Sequence, residues 1–296
     1  YYATASLEFD NHPLGSGDSL TLGGYAFTWA TARNRFEFNV TKTSVQSLII
    51  NSFMSGSEAT YGITVGNINS QTGTIIWDQI KITGMGNDNN RRDVGTTGTF
   101  WATAALEYDN HALGSGDSLT INGISMTWSV TNSRFEGTDT KSTVQAVTYN
   151  TFTSGNEATY GITVGFMSGS STSIIWDRVK IKVTVFDDRI NVGSTGSYIW
   201  TSMYEYDGAP FTGTFTLNDT LTKTVVGKYG YKVATIKDLN YGLNTFASNT
   251  FYIIFDKVSI TITISDNRIS VGASAPLSWT GTYQYDSSPF NGSVTY

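Results

Sequence analysis

The chain repeats itself, and a repeat constrains a fold strongly, because every copy must adopt one structure and bury one face. Leu7-Glu8-Phe9-Asp10-Asn11-His12 returns as Leu106-Glu107-Tyr108-Asp109-Asn110-His111, then as Tyr204-Glu205-Tyr206-Asp207 and Tyr283-Gln284-Tyr285-Asp286. Ile75-Ile76-Trp77-Asp78 returns as Ile174-Ile175-Trp176-Asp177 and as Ile253-Ile254-Phe255-Asp256. Tyr61-Gly62-Ile63-Thr64 is matched by Tyr160-Gly161-Ile162-Thr163 and Tyr241-Gly242-Leu243-Asn244. Arg189-Ile190-Asn191-Val192-Gly193 is matched by Arg268-Ile269-Ser270-Val271-Gly272, and more loosely by Arg92-Asp93-Val94-Gly95. Glu8 to Glu107 spans 99 residues, Glu107 to Glu205 spans 98, and Glu205 to Gln284 spans 79. Asp10 to Lys42 and Asp109 to Lys141 are both 32, whereas Asp207 to Lys223 is 16, so the third copy is short there.

Within a copy the apolar period is two. Val258-Ser259-Ile260-Thr261-Ile262-Thr263-Ile264 puts branched apolar side chains on one face and hydroxyls on the other, which predicts a half-buried strand. Val45, Leu48, Ile49 and Phe53 would also line a helix face. Alignment of Lys42 with Lys223, however, lays Leu48 and Ile50 on Tyr229 and Tyr231, which flank a helix-unfriendly glycine. Gly23-Gly24 and Asn122-Gly123 lie between alternating runs (19–29 and 118–128) and predict a hairpin in copies one and two, since a type I′ turn needs two positive φ angles. Copies of 79 to 99 residues made of short strands predict an all-β fold of tandem Ig-like β-sandwich modules, two of them with this inserted hairpin.

The turn-rich stretches near 86–90, 186–189 and 265–268 follow the most regular strands. They predict boundaries that give modules over 1–87, 88–186 and 187–265 and the opening part of a fourth over 266–296. In this phase 1–87 lacks its first strand, and its ends are expected to be completed by adjoining modules of the chain or by other copies, through strand addition.

The order Arg-Ile-x-Val-Gly, Tyr-x-Tyr-Asp-Gly-x-Pro-Phe, Leu-Asn-Asp, Gly-Lys-Tyr-x-Tyr and Ile-Ile-(Trp/Phe)-Asp-x-Val is found at 189–193, 204–211, 217–219, 227–231 and 253–258. It resembles the immunoglobulin-like repeats of large archaeal, and some bacterial, cell-surface proteins. The resemblance covers the whole chain and is best over 187–296; the inserted hairpin and the Asp-Asn-His turn depart from it. It implies an extracellular tandem protein with a mechanical or surface-coating role, and it carries no catalytic set.

Composition narrows the function classes. Charged residues are only 14% against 39% hydrophobic, which excludes a disordered chain or a coiled coil. The net charge is −6, and no basic cluster exceeds Arg91-Arg92, so no nucleic-acid partner is expected. There is no cysteine, and no apolar run long enough to span a membrane.

Candidate chemistry is sparse. His12 with Asp10 and Ser16, and His111 with Asp109 and Ser115, suggest a triad only on paper. Three groups within one turn are poorly placed for it, so both read as polar loop residues. Asp88, Asp93, Asp187, Asp188 and Asp266 cluster near the expected junctions. Calcium takes six to eight oxygens, whereas each cluster offers one or two carboxylates beside Arg91, Arg189 or Arg268. Turn aspartates with a local ion pair are therefore expected, and no cofactor. Glu8, Glu107 and Glu205, with Lys81 and Lys180, suggest isopeptide crosslinks, but Gln284 and Ser259 replace them later, and outward carboxylates fit better.

Trp77, Trp176 and Phe255, at one strand position, are expected core marks, with Asp78, Asp177 and Asp256 on the opposite side. Asn39, Asn218 and Asn291 head Asn-x-Ser/Thr sequons and are expected glycan acceptors on an extracellular chain. The expectation is a structural, non-enzymatic segment of a filament, stalk or surface layer. The alternative is an adhesin or carbohydrate-binding module that uses loops at one end of a sandwich.

Overall fold

The computed structural model describes residues 1–64 and 72–295, and among these it is all-β, with one 3-10 turn over Thr31–Arg33. Contacts divide the chain into two compact units. The first comprises Tyr1–Gly86, Phe100–Gly137 and Tyr149–Thr172; the second comprises Asn87–Thr99, Thr138–Thr148 and Ser173–Tyr296.

The third module lies wholly in the second unit and shows the plan of a sandwich. Its leading strand, Val179–Val185, pairs antiparallel with Tyr198–Tyr204 and parallel with Phe246–Ser248. In the opposite sheet, a crossover strand, Arg189–Asn191, runs parallel to the closing strand, Phe251–Asp256, whose other edge takes Gly227–Tyr231. Val179, Ile181 and Val183 face Tyr204, Tyr231, Ile253 and Phe255 in one core, while Lys180, Lys182 and Thr184 point outward. The side-chain period of two decides that split. Each buried aliphatic side chain contributes about 1.5–3 kcal/mol to it.

This core corrects the expected boundary at 186–189. Val179–Val185 and Ile190 pack into the same core as Tyr204 and Phe255, on both sides of that stretch. The stretch is the turn between leading and crossover strands of one module. The changeover is at Asp177, and Arg178 alone separates Thr172–Asp177 from Val179–Val185. The fourth module likewise opens with Val258–Ile264, which pairs with Leu277–Tyr283 around the stretch 265–268. Ile80–Asn87 is bonded to Thr97–Leu106, so the stretch near 86–90 also lies inside a module. Turn residues report a local φ/ψ need, which is the same whether the strands they join share a module or not.

In the first unit, Tyr2–Ala3, Arg35–Glu37, Tyr25–Ala30, Ser19–Leu22 and Phe53–Ser57 form one sheet in that order, and Gln46–Ile50 pairs with Gly73–Trp77. A longer sheet runs Phe152–Asn156, Ser118–Ile121, Ile124–Ser129, Arg134–Thr140, Thr97–Leu106, Ile80–Asn87, Gly165–Met167. Thr97–Leu106 and Arg134–Thr140 contribute residues to both units. The ambiguous segment is a strand, with Ile50 buried as Tyr149 and Tyr231 are.

The expected hairpins are present. Gly23 and Gly24 have φ of 59° and 84°, and Asn122 and Gly123 have 49° and 77°, the two positive angles of a type I′ turn. Their first strand is not an addition, however. Gly213–Leu217 pairs with Val233–Asp238 as Ser118–Ile121 pairs with Phe152–Asn156, with a register shift at the same step. The added strands in the second module are Ile124–Ser129 and Arg134–Thr140.

Candidate functional site

The crossover strand brings the separate sequence marks together. Arg91–Asp93 lies parallel to Thr172–Asp177, in register Ile175 with Arg91 and Asp177 with Asp93. Arg189–Asn191 lies on Phe251–Asp256 in the same register. Arg91, rather than Arg92, is therefore the counterpart of Arg189, and Arg91-Arg92-Asp93-Val94-Gly95 aligns with 189–193 without a gap.

From this strand Arg91 reaches two carboxylates. Its Nη1 is 3.5 Å from Asp177 Oδ2, and its Nη2 donates to Asp207 Oδ2. Asp177 ends the closing strand of the second module; Asp207 sits in the Tyr-x-Tyr-Asp turn of the third. The guanidinium also lies 4.9 Å from the Tyr204 ring centroid and 4.6 Å from that of Tyr241. Arg91 is 4% exposed and Asp177 0%. The arrangement recurs one module on. Arg189 Nη1 is 3.6 Å from Asp256 Oδ2, Nη2 donates to Asp286, and the Tyr283 ring centroid is 4.7 Å away.

The aspartates after Trp176 and Phe255 are buried, although each alternates with the core aromatic before it, because the next module covers their face. They cap the next module. Asp177 Oδ1 accepts from the N–H groups of Arg178 and Tyr206, and Asp256 Oδ1 from those of Lys257 and Tyr285. Asp78 Oδ1 does the same for Gln79 and Tyr108. The single connecting residue is itself tied down. Arg178 donates at 2.6 and 3.1 Å to Glu205, and Gln79 Nε2 at 2.6 Å to Glu107 Oε2. A third clasp joins Asp93 to the N–H groups of Asn244 and Thr245 and to the Thr245 hydroxyl.

The electrostatics follow from burial and pairing. Burial pushes the Asp177 carboxyl up, against its two N–H donors and the Arg91 charge. The hydrogen bond from Arg91 holds Asp207 below the usual carboxylate range, and that from Arg189 does so for Asp286. Burial opposes the charge on Arg91, but Asp207 and then Asp177 outweigh it and raise its pKa. Together these form a latch: one cation held between the end of one module and the first turn of the next.

The remaining expected sites separate into structural parts. Asp10 and Asp109 accept the N–H groups of His12 and His111, and both histidines are exposed. Glu205 pairs with Arg178 rather than with Lys180. Among the described residues no three acidic or histidine groups are placed to hold a metal ion. Asn39, Asn218 and Asn291 are all exposed. Trp176 and Phe255 are fully buried, and the Trp176 Nε1–H donates at 2.8 Å to the Thr96 carbonyl; Trp77 is half-buried. The latch was missed as a site because its three marks lie far apart in sequence. Their joint recurrence in successive copies is the signal that could have revealed it.

No helix among the described residues is long and apolar enough to cross a membrane. No protein-family model matches the chain, and no curated protein matches it. Among solved structures it is similar to the D0-D1 domain of Intimin, at 12% identity and a TM-score of 0.22. That match covers 58% of this chain and 98% of the other.

Proposed function

We propose that the chain is a structural segment of an extracellular filament, stalk or surface layer, built to transmit tension along tandem modules. The observation that carries this reading is the one-residue connection at Arg178, closed over by the Arg91 latch. Such a joint leaves few torsions free to bend, so neighbouring modules form a stiff chain. The direction of the strands supports it as well. Tension draws the crossover strand toward the preceding module and the closing strand toward the following one. Because the two are parallel, the load falls as shear on all their hydrogen bonds at once.

In the third module those bonds include Ile254 N–H to Asp188 O at 2.7 Å and Val192 N–H to Asp256 O at 3.0 Å. Asn39, Asn218 and Asn291 are proposed glycan acceptors on this surface, which predicts an intact mass above 32.2 kDa for material from its native source. Single-molecule stretching of the whole chain tests the mechanical reading. The third module should open in one cooperative step, and Val192→Pro, which deletes one ladder donor, should lower the force of that step. Gradual extension, or a force unmoved by Val192→Pro, would overturn it.

A further inference from the structure

The second module carries two features that the third lacks. One is the added pair of strands, Ile124–Ser129 and Arg134–Thr140; the other is Asn110-His111 after Asp109, where the third module has Gly208-Ala209. The latch uses neither. They meet, wholly within the first unit, around an open hollow of about 390 Å³. That volume falls within the range of small-molecule sites.

The turn forms one wall. Asp109 accepts the His111 N–H, and the Leu106 N–H donates to His111 O at 2.8 Å. The Leu113 N–H donates to Ala104 O at 2.9 Å, so Asn110 and Ala112 are held beside the end of Thr97–Leu106. The end of the added hairpin forms the other wall, with Trp128 and Ser133. Trp128 is half-buried, and Phe135 braces it edge-on at 5.0 Å. Buried Ala104, Ala105 and Leu113 add an apolar lining. In the third module Met203 stands at the position of Ala105, bridged to Pro210 as Ala105 is to Ala112.

The polar groups stand where the backbone favours glycine. Asn110 has φ of 60° and Ser133 of 49°, in the left-handed region that glycine enters most freely. The third module meets the same demand at the turn with Gly208, at 70°. The second module keeps an amide and a hydroxyl at these positions, and both residues line the hollow. Neither side chain, nor the Trp128 Nε1–H, is bonded to a protein group among the described residues. Thr83 and Thr103, also in the lining, bond each other at 2.9 Å and keep lone pairs free. No charged side chain lines the hollow.

We infer that this hollow binds a neutral saccharide. An indole offers an apolar face to the C–H side of a sugar ring. Uncharged donors and acceptors around it match the ring hydroxyls. A purely apolar ligand would strip water from the amide and hydroxyls and give nothing back. An acidic ligand would find no cation in the lining and a net charge of −6 on the chain. Saccharide binding is a function additional to load bearing. The hollow involves neither the latch nor a crossover strand, so either activity can fail without the other.

Titration calorimetry of the whole chain against lactose, maltotriose, cellotriose and mannotriose tests the inference. At least one of these sugars should bind saturably. Trp128→Ala should weaken that binding about tenfold or more, by removing the stacking face. Because Trp128 also packs on Phe135, a second variant separates binding from folding. Asn110→Gly combined with Ser133→Gly removes the amide and the hydroxyl where the backbone already accepts glycine. It should weaken binding about fivefold or more, as expected for lost hydrogen bonds, with melting close to that of the parent. Tyr252→Ala, which removes an exposed ring of the third module, should leave binding unchanged. Sialyllactose should bind no more tightly than lactose. No saturable binding of any of the four sugars would overturn the inference. So would binding unmoved by the double glycine variant, binding lost in Tyr252→Ala, or tighter binding of the sialylated sugar.

Discussion

Replacing Arg91 with methionine should cost about 3–5 kcal/mol of stability at neutral pH, read as a shift in the urea unfolding midpoint. That is the range for breaking a buried ion pair from one side. The loss comes less from the attraction removed than from what is left behind. Asp177 is fully buried, and without Arg91 its charge rests on two backbone N–H groups alone. The pH dependence separates this cause from a simple packing defect. A carboxyl whose folded pKa is raised costs stability above that pKa and ceases to do so as it takes up a proton below it. The deficit of Arg91→Met should therefore shrink as pH falls. In the parent the Asp207 carboxyl acts in the opposite sense, because Arg91 holds it low. Its contribution is present above the ordinary aspartate pKa of about 3.9 and fades as pH drops further. An Arg91→Met deficit constant from pH 7 to pH 4 would exclude the buried-charge account. Pairing Arg91→Met with Asp177→Leu should restore part of the loss, since a buried pair replaced by apolar groups is often neutral.

Trp176→Ala should be about as damaging, near 3–5 kcal/mol, whereas Trp77→Ala at the matching position should cost far less. Trp176 is fully buried, its ring lies against Gly98, and its N–H is bonded to Thr96, which follows the crossover strand. A side chain at Gly98 would meet the indole at 3.0 Å, so the ring leaves no slack. Trp77 has no crossover strand beside it among the described residues, and it is half-buried. Trp176→Phe should cost only about 1 kcal/mol, the size of one net hydrogen bond, because Phe255 already serves this position in the third module. Thermal melts of the three variants measure the ordering. Equal losses at Trp77 and Trp176 would mean that the crossover strand does not seal the closing strand.

Much of this was legible before any coordinates. The recurrence of Trp77, Trp176 and Phe255 marked one strand position. Asn122-Gly123 marked a turn that only two positive φ angles satisfy. The match of Ile50 with Tyr231 separated strand from helix where apolar spacing alone allowed both. These are local facts, written in neighbouring residues.

The sequence by itself determined the strands, their faces, the hairpin turns and the number of repeats, because side-chain period and turn chemistry act over a few residues. Only the tertiary structure decided where one module yields to the next. A strand such as Val179–Val185 has the same alternation whichever sheet receives it, and its placement comes from pairing with Tyr198–Tyr204 and burial against Phe255. It likewise decided that Arg91, Asp177 and Asp207 form one site. They are 86 and 30 residues apart along the chain, and what gathers them is a parallel strand pairing, a long-range contact that short-range sequence preferences do not encode.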